Sequence, residues 1–300
     1  MQGMNKLDVA SEIDLPKPFS NWKRLFIFVL LWIATSVVLY VPIVILFPTS
    51  SLLLNSGELL SIGDNNYYVV LAISQSIALL SVLFATYVVV KRIEKRDFIN
   101  IGLTVDLRSI ILGFLIGGTL MIAFTWIAVT INIITLSFSD ISAHLGFGFG
   151  FYLLVSVTEE IVIRGYVLNN LREKLRDDYS VIISSLIFSC LHIFNDNFSW
   201  IGFSNIFLSG VLLGIFCIKQ NTVSGSVGLH WSWNFIQGPI LGFNVSGHID
   251  KGVFGVNPLA SNMFTGGNFG AEGSILLTPI ILISIFLVVR IRYFTKFQNS

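Results

Sequence analysis

The chain of 300 residues is built from long apolar runs separated by short segments that hold nearly all of its charge. A hydrocarbon core about 30 Å thick takes roughly 20 apolar helical residues to cross. No water is present there to satisfy backbone N–H and C=O groups, so such a run must close its hydrogen bonds on itself as a helix. Runs at about 25 to 47, 67 to 90, 109 to 136, 145 to 165, 180 to 195, 200 to 218, 225 to 242 and 273 to 292 predict eight helices. The fifth and seventh are short and carry polar residues, which suits inner helices where His, Asn and Ser find partners on their neighbours. Hydrophobic residues make up 54% of the chain and charged residues 12%, about half the charge of an average soluble domain. The expected fold is all-α: a polytopic integral membrane protein of about eight transmembrane helices with an intramembrane polar cavity.

Short cytosolic loops carry the excess of Lys and Arg. Lys6, Lys17, Lys23 and Arg24 precede the first run, and Lys91, Arg92, Lys95, Arg96 and Arg108 lie between the second and third. Arg172, Lys174 and Arg176 follow the fourth, Lys219 follows the sixth, and Arg290, Arg292 and Lys296 lie at or beyond the end of the eighth. The alternate connections, 48 to 66, 137 to 144, 196 to 199 and 243 to 272, contain only Lys251. This asymmetry predicts a multi-pass cell-membrane protein with both termini in the cytosol. The chain divides into a cytosolic tail at 1–24, N-terminal helices at 25–108, a core at 109–242, an external loop at 243–272 read as a connector, and the last helix with its tail at 273–300. The first run is longer than a signal-peptide core and lacks a small-residue cleavage site, so it reads as a retained helix. Gly113/Gly117 and Gly210/Gly214 have the spacing that lets helices approach closely. Cys190 and Cys217 lie in apolar runs without ligand-like spacing and read as packing residues. No Gly-rich phosphate loop follows a strand, and no nucleic-acid partner is expected.

Against this background the sequence FYLLVSVTEEIVIRGYVL is anomalous, because each ionised side chain in a spanning helix costs on the order of 2.5 to 3.5 kcal/mol. Three runs carry polar side chains at i, i+4 spacing, one above the other on a helix face. They are Glu160 with Arg164, next to Glu159; Phe188 with His192; and His230 with Asn234. Each alone has a structural reading: a helix-end salt bridge, a satisfied interhelical histidine, a bridging amide. Together, two carboxylates, two imidazoles and a carboxamide supply what amide hydrolysis needs. At about 1.5 Å of rise per residue they fit one layer of an inward-facing cavity. His144 and His248, the other histidines, fall in external segments and read as solvated.

The chemistry has two versions. A glutamate in a low-dielectric pocket makes a good general base for water. Glu159, His192 and His230 form a possible ligand set for a divalent metal such as Zn2+ that acidifies the water. Alternatively, protonated His and Asn234 donate hydrogen bonds to the oxyanion of a tetrahedral intermediate. Arg164 neutralises Glu160, which leaves Glu159 the more reactive carboxylate. Trp231 and Trp233 lie between the members of the third pair and read as groove-lining or interfacial side chains. No GxSxG elbow points to a serine nucleophile.

The ordered motifs EEIVIR at 159 to 164, FSCLH at 188 to 192 and HWSWN at 230 to 234, with IGL at 101 to 103 ahead of them, resemble the CPBP family of intramembrane proteases. That family includes the CAAX-prenyl endopeptidases of the Rce type and bacterial Abi proteins, some linked to bacteriocin immunity. The resemblance covers about residues 95 to 242. It implies a glutamate-dependent intramembrane endopeptidase, metallo- or glutamate-type, acting on a peptide or membrane-protein substrate delivered from the bilayer or its cytosolic face. The candidate catalytic residues are then Glu159, Glu160, His192, His230 and Asn234, supported by Arg164 and Phe188. Two other classes compete. One is a proton-coupled transporter with a Glu/His relay, whose inverted repeats and broken helices are missing from the sequence. The other is a non-enzymatic membrane immunity or scaffold protein.

Overall fold

A computed structural model describes residues 20–46, 64–139 and 144–291. Most of the expected tail at 1–24 and much of the connection 48–66 therefore lie outside the described residues. The helical elements are α1 (Asn21–Leu46), α2 (Asp64–Thr86, continued by a π-helical stretch Tyr87–Ile93), α3 (Leu107–Thr130) and α4 (His144–Glu160). The rod of α4 continues through a π-helical stretch, Ile161–Leu168, into the short α5 (Asn169–Arg172). Then come α6 (Asp177–Leu191), α7 (Trp200–Gln220), α8 (Val223–Phe235, continued by π-helical Ile236–Ile240), the one-turn α9 (Asn262–Thr265) and α10 (Leu277–Arg290). Five of these rods are long and apolar enough to cross a membrane: Asn21–Pro42, Val69–Ile93, Leu107–Thr130, Leu145–Arg172 and Trp200–Gln220. With α6, α8 and α10, they stand where the eight apolar runs predict helices. The short α8 is the innermost, buried at every residue from Val223 to Asn234 except Trp231.

Two segments differ from expectation. The third run was expected to stay helical to about 136, but the helix stops at Thr130. Asn132 then turns the chain with φ +56°, a conformation that Asn tolerates better than branched residues. The β-rich sequence that follows forms β1 (Ile134–Phe138), which pairs antiparallel with β2 (Phe254–Pro258), Leu136 opposite Val256. The second segment, 243–272, is no simple connector. It holds β2, α9 and two 3-10 turns, and packs back on the helix ends. Asn195 Nδ2 donates to the Ser246 carbonyl (2.8 Å), Asn205 Nδ2 to the Glu272 carbonyl (2.7 Å), and the Tyr152 hydroxyl to Asp250 (2.5 Å).

The opposite end of the bundle is tied by charge. Arg24 on α1 donates to Glu94 (2.8 Å) and Glu173 (2.5 Å), Arg96 donates to Glu173 (2.6 Å), and the Tyr166 hydroxyl donates to Glu94 (2.9 Å). At the same end Asp106 N donates to Ser224 Oγ (3.0 Å), and Lys219 Nζ to the Val289 carbonyl (2.9 Å). Arg24 and Glu94 are buried, so each charge depends on the others to offset its desolvation.

Between the two ends, α3 and α8 touch backbone to backbone. A Cβ on Gly113 or Gly117 would collide with the Gly225 or Leu229 carbonyl, and one on Gly228 with the Ile110 carbonyl. The glycine spacing thus serves close helix approach, and it seats α8 deep in the bundle. Gly228→Ala should lower stability by about 1–3 kcal/mol through overpacking. Gly146→Ala, where an added Cβ meets nothing within 4 Å, should be neutral or slightly stabilising. Thermal unfolding of both variants in one detergent checks the difference.

Candidate active site

The last turn of α4 delivers Glu159 and Glu160 just where the helix widens into its π-helical stretch, a distortion that recurs at functional sites. Arg164 and its neighbours from Ile161 to Leu168 are all buried. Glu160 Oε1 accepts from Arg164 Nη1 at 2.8 Å and pairs with His230 Nδ1 at 3.0 Å. Arg164 Nη2 donates to the Gly210 carbonyl at 3.2 Å. The Arg164 guanidinium also lies 4.5 Å above the Phe188 ring, in cation–π range. Both charged side chains have 0% exposure. One buried ion pair therefore joins α4, α6, α7 and α8.

Hydrogen-bond chemistry fixes how the imidazoles point. An ionised carboxylate only accepts, so His230 Nδ1 carries the proton shared with Glu160, and Nε2 is turned towards Glu159. The gap from Nε2 to Glu159 Oε2 is 3.8 Å, beyond hydrogen-bonding distance. Glu159 is thus near an imidazole without being locked to it. Its side chain is 34% exposed, whereas Glu160 is fully enclosed. His192 follows Leu191 directly as the C-cap of α6, not within a helix reaching 195. Its Nδ1 lies 2.8 Å from the Phe188 carbonyl; a carbonyl has no proton to give, so Nδ1 is protonated and Nε2 is left for other partners. The Phe188 ring meets His192 edge-on at 4.8 Å and His230 at 6.0 Å, so it braces both histidines as well as Arg164.

These groups face a cavity of about 730 Å³. Glu159, Phe188, His192, His230 and Asn234 line it; Glu160 and Arg164 stand behind its wall. Asn234 is 6% exposed, and its carboxamide makes no hydrogen bond among the described residues, so it meets the cavity unpartnered. Among the described residues no three His, Cys, Asp or Glu side chains are gathered so as to hold a metal ion. As placed, Glu159, His192 and His230 do not form the ligand set that a metal would use.

The cavity also has polar lining that the motifs did not reveal: Asp196, His248, Asp250 and Glu272. His248, expected to be solvated, is exposed but sits on the cavity rim. His144 opens α4, and its side chain lies outside the described ones. Glu272 is buried and accepts from Gln237 Nε2 at 2.5 Å, and burial raises its proton affinity. Burial likewise pushes the Asp250 carboxyl from 3.8 up to about 6, opposed by the Tyr152 hydroxyl and the Lys251 N–H. No periodicity marks Asp250 or Glu272 in the sequence, since each is a lone acid in a Gly-rich segment.

Two outcomes follow. Arg164→Met should cost about 3–5 kcal/mol by leaving the Glu160 charge buried and uncompensated, and the double variant with Glu160→Gln should recover much of the loss. Chemical unfolding in detergent measures both. At Asp250 the native state keeps a proton that the unfolded chain has released, so stability falls as pH rises between about 4 and 6. The thermal midpoint of wild type should drop over that window relative to Asp250→Asn, in which this titration is removed.

Residues 141–236 match a family model described as type II CAAX prenyl endopeptidase Rce1-like. No curated protein and no solved structure matches the chain. The matched segment holds all three motifs, from Glu159 to Asn234, and the helices that bring them together. The resemblance carried by those motifs is borne out over this segment: residues 141–236 are similar to the CAAX-type prenyl endopeptidases, in a chain built from membrane-spanning helices.

Proposed function

We propose that this protein is an intramembrane endopeptidase in which Glu159 activates water for attack on a peptide bond of a membrane-associated peptide or protein. The observation that carries this reading is the difference between the two adjacent glutamates. Glu160 is consumed by Arg164 and His230, while Glu159 faces the cavity beside His230 Nε2 and has no hydrogen bond to it. A carboxylate so held is free to take a proton from water.

In the proposed reaction Glu159 removes one proton as the water oxygen bonds to the scissile carbonyl carbon. The carbonyl oxygen becomes an oxyanion, which the Asn234 amide stabilises together with Nε2–H of a protonated His192. The carbon–nitrogen bond then breaks, the departing nitrogen receives the proton from Glu159, and the products leave as a carboxylic acid, which gives its proton to water, and an amine. His230, tied to Glu160, supports the Glu159 side of the site. Phe188 and Arg164 act as positioning residues. A divalent ion bound by Glu159, His192 and His230 would supply acidified water instead, and would require these side chains to close on one point.

The buried Glu and His residues also suit a proton relay, but Asn234, held in the cavity without a partner, favours hydrolysis. The test is cleavage of a fluorogenic panel of prenylated and unprenylated membrane peptides by purified protein in nanodiscs. Glu159→Ala should abolish cleavage, and Asn234→Ala should lower kcat by about 10²- to 10³-fold, the usual effect of removing one oxyanion donor. Chelator sensitivity would select the metal version. Equal cleavage by wild type and Glu159→Ala would defeat the proposal.

A further inference from the structure

The ends of the bundle differ in both charge and opening. One end carries Arg24, Arg96, Arg172, Lys174, Arg176, Lys219 and Arg290, and is drawn together by the Arg24–Glu94–Glu173–Arg96 cluster and the Lys219 contact to the end of α10. The other end carries the segment 243–272 and the turn after α6, joined by Asn195 to the Ser246 carbonyl and by Asn197 to the Gly247 carbonyl. The cavity is walled by this second end. Its lining includes Phe194, Asn195, Asp196, Ser246, His248 and Asp250.

The direction of opening follows from burial. Phe194 is 94% exposed and His248 is also exposed, so the cavity has a rim at the turn after α6 and the 245–250 segment, while the half-buried Trp32, Leu71 and Ser74 line it from the side of α1 and α2. The floor is formed by Ile163, Leu212 and Leu213, all buried. Further towards the basic end, Leu168 and Phe216, later on the same rods, and Ile101 are buried as well and do not line the cavity. No Lys or Arg lines the cavity among the described residues; its ionisable lining is Glu159, Asp196, Asp250 and Glu272 with three histidines.

By the distribution of Lys and Arg, the basic end is the cytosolic one. We infer that the cavity opens to the non-cytosolic side of the membrane and takes substrate segments whose scissile bond is presented from that side. This reverses the inward-facing cavity expected from helix depth alone. The substrate part of the inference rests on the peptidase reading above; the sidedness of the cavity does not. The walls at Asn195, Ser246 and Asp250 come partly from chain beyond the family-matched 141–236, so access is shaped by sequence outside the motif block.

The test separates the two parts. In a Cys190→Ala/Cys217→Ala background, single cysteines are introduced as His248→Cys, Lys251→Cys and Lys174→Cys, and expressing cells are treated with a membrane-impermeant maleimide. His248→Cys and Lys251→Cys should label in intact cells, and Lys174→Cys only after permeabilisation. The reverse pattern, or label at both ends from one side, overturns the sidedness whatever the activity. Right-side-out vesicles are then given a membrane-impermeant fluorogenic peptide in the outer medium. Cleavage that the Glu159→Ala variant lacks is the expected result, and cleavage confined to inverted vesicles overturns the substrate presentation. Outer labelling with cleavage unchanged by Glu159→Ala would defeat the peptidase reading and leave the sidedness standing.

Discussion

The buried pair of Glu160 and Arg164 is the joint on which the site depends. Two charges at 0% exposure are stable only while each satisfies the other, because desolvation of either alone costs several kcal/mol. Glu160 uses one oxygen for both Arg164 and His230, and Arg164 spends a second arm on the Gly210 carbonyl and its face on Phe188. The orientations of three groups that line the cavity can be traced back to this pair. His230 is turned by Glu160, Phe188 is held beneath the guanidinium, and His192 is anchored on the Phe188 carbonyl. Glu159 is left as the carboxylate without an ion-pair partner within hydrogen-bonding distance.

Such a joint needs helices that come unusually close. Gly113, Gly117 and Gly228 remove the side chains that would hold α3 and α8 apart, and α8 can be short because its neighbours shield its backbone and polar groups. Gly210 does the same on α7, where an added Cβ would press against Ser185 at 2.9 Å while its carbonyl serves Arg164. The second buried ionic cluster, around Arg24 and Glu94, binds the first helix to the far end of the rod that carries the glutamates. Small residues permit the approach, and paired charges fix the register.

Much of this arrangement is legible in the sequence because it is local. Apolar run length gives the helices, and i, i+4 spacing gives Glu160 with Arg164 and Phe188 with His192. Other features are not local. The wall formed by 243–272 has no hydrophobic period, so Asp250 and Glu272 look like loop residues until the segment is folded against Tyr152 and Gln237. The break of the third run at Asn132 depends on a strand partner more than 100 residues away, between β1 and β2. Helix depth counted from the ends of the apolar runs also carries little about the direction of the cavity, because those ends are not sharp in the sequence. The fourth rod continues to Arg172, seven residues past its expected end, and at about 1.5 Å per residue this shifts the glutamates by roughly 5 Å relative to the middle of the rod.

General-base hydrolysis is tested most directly by single-turnover cleavage of a membrane peptide in heavy-oxygen water, with mass analysis of the product and of the Glu159 peptide. Attack by water activated at Glu159 predicts one heavy oxygen in the new product carboxylate and none on Glu159. Heavy oxygen appearing on Glu159 would mean that this side chain attacks the substrate itself, and would contradict its role as a base.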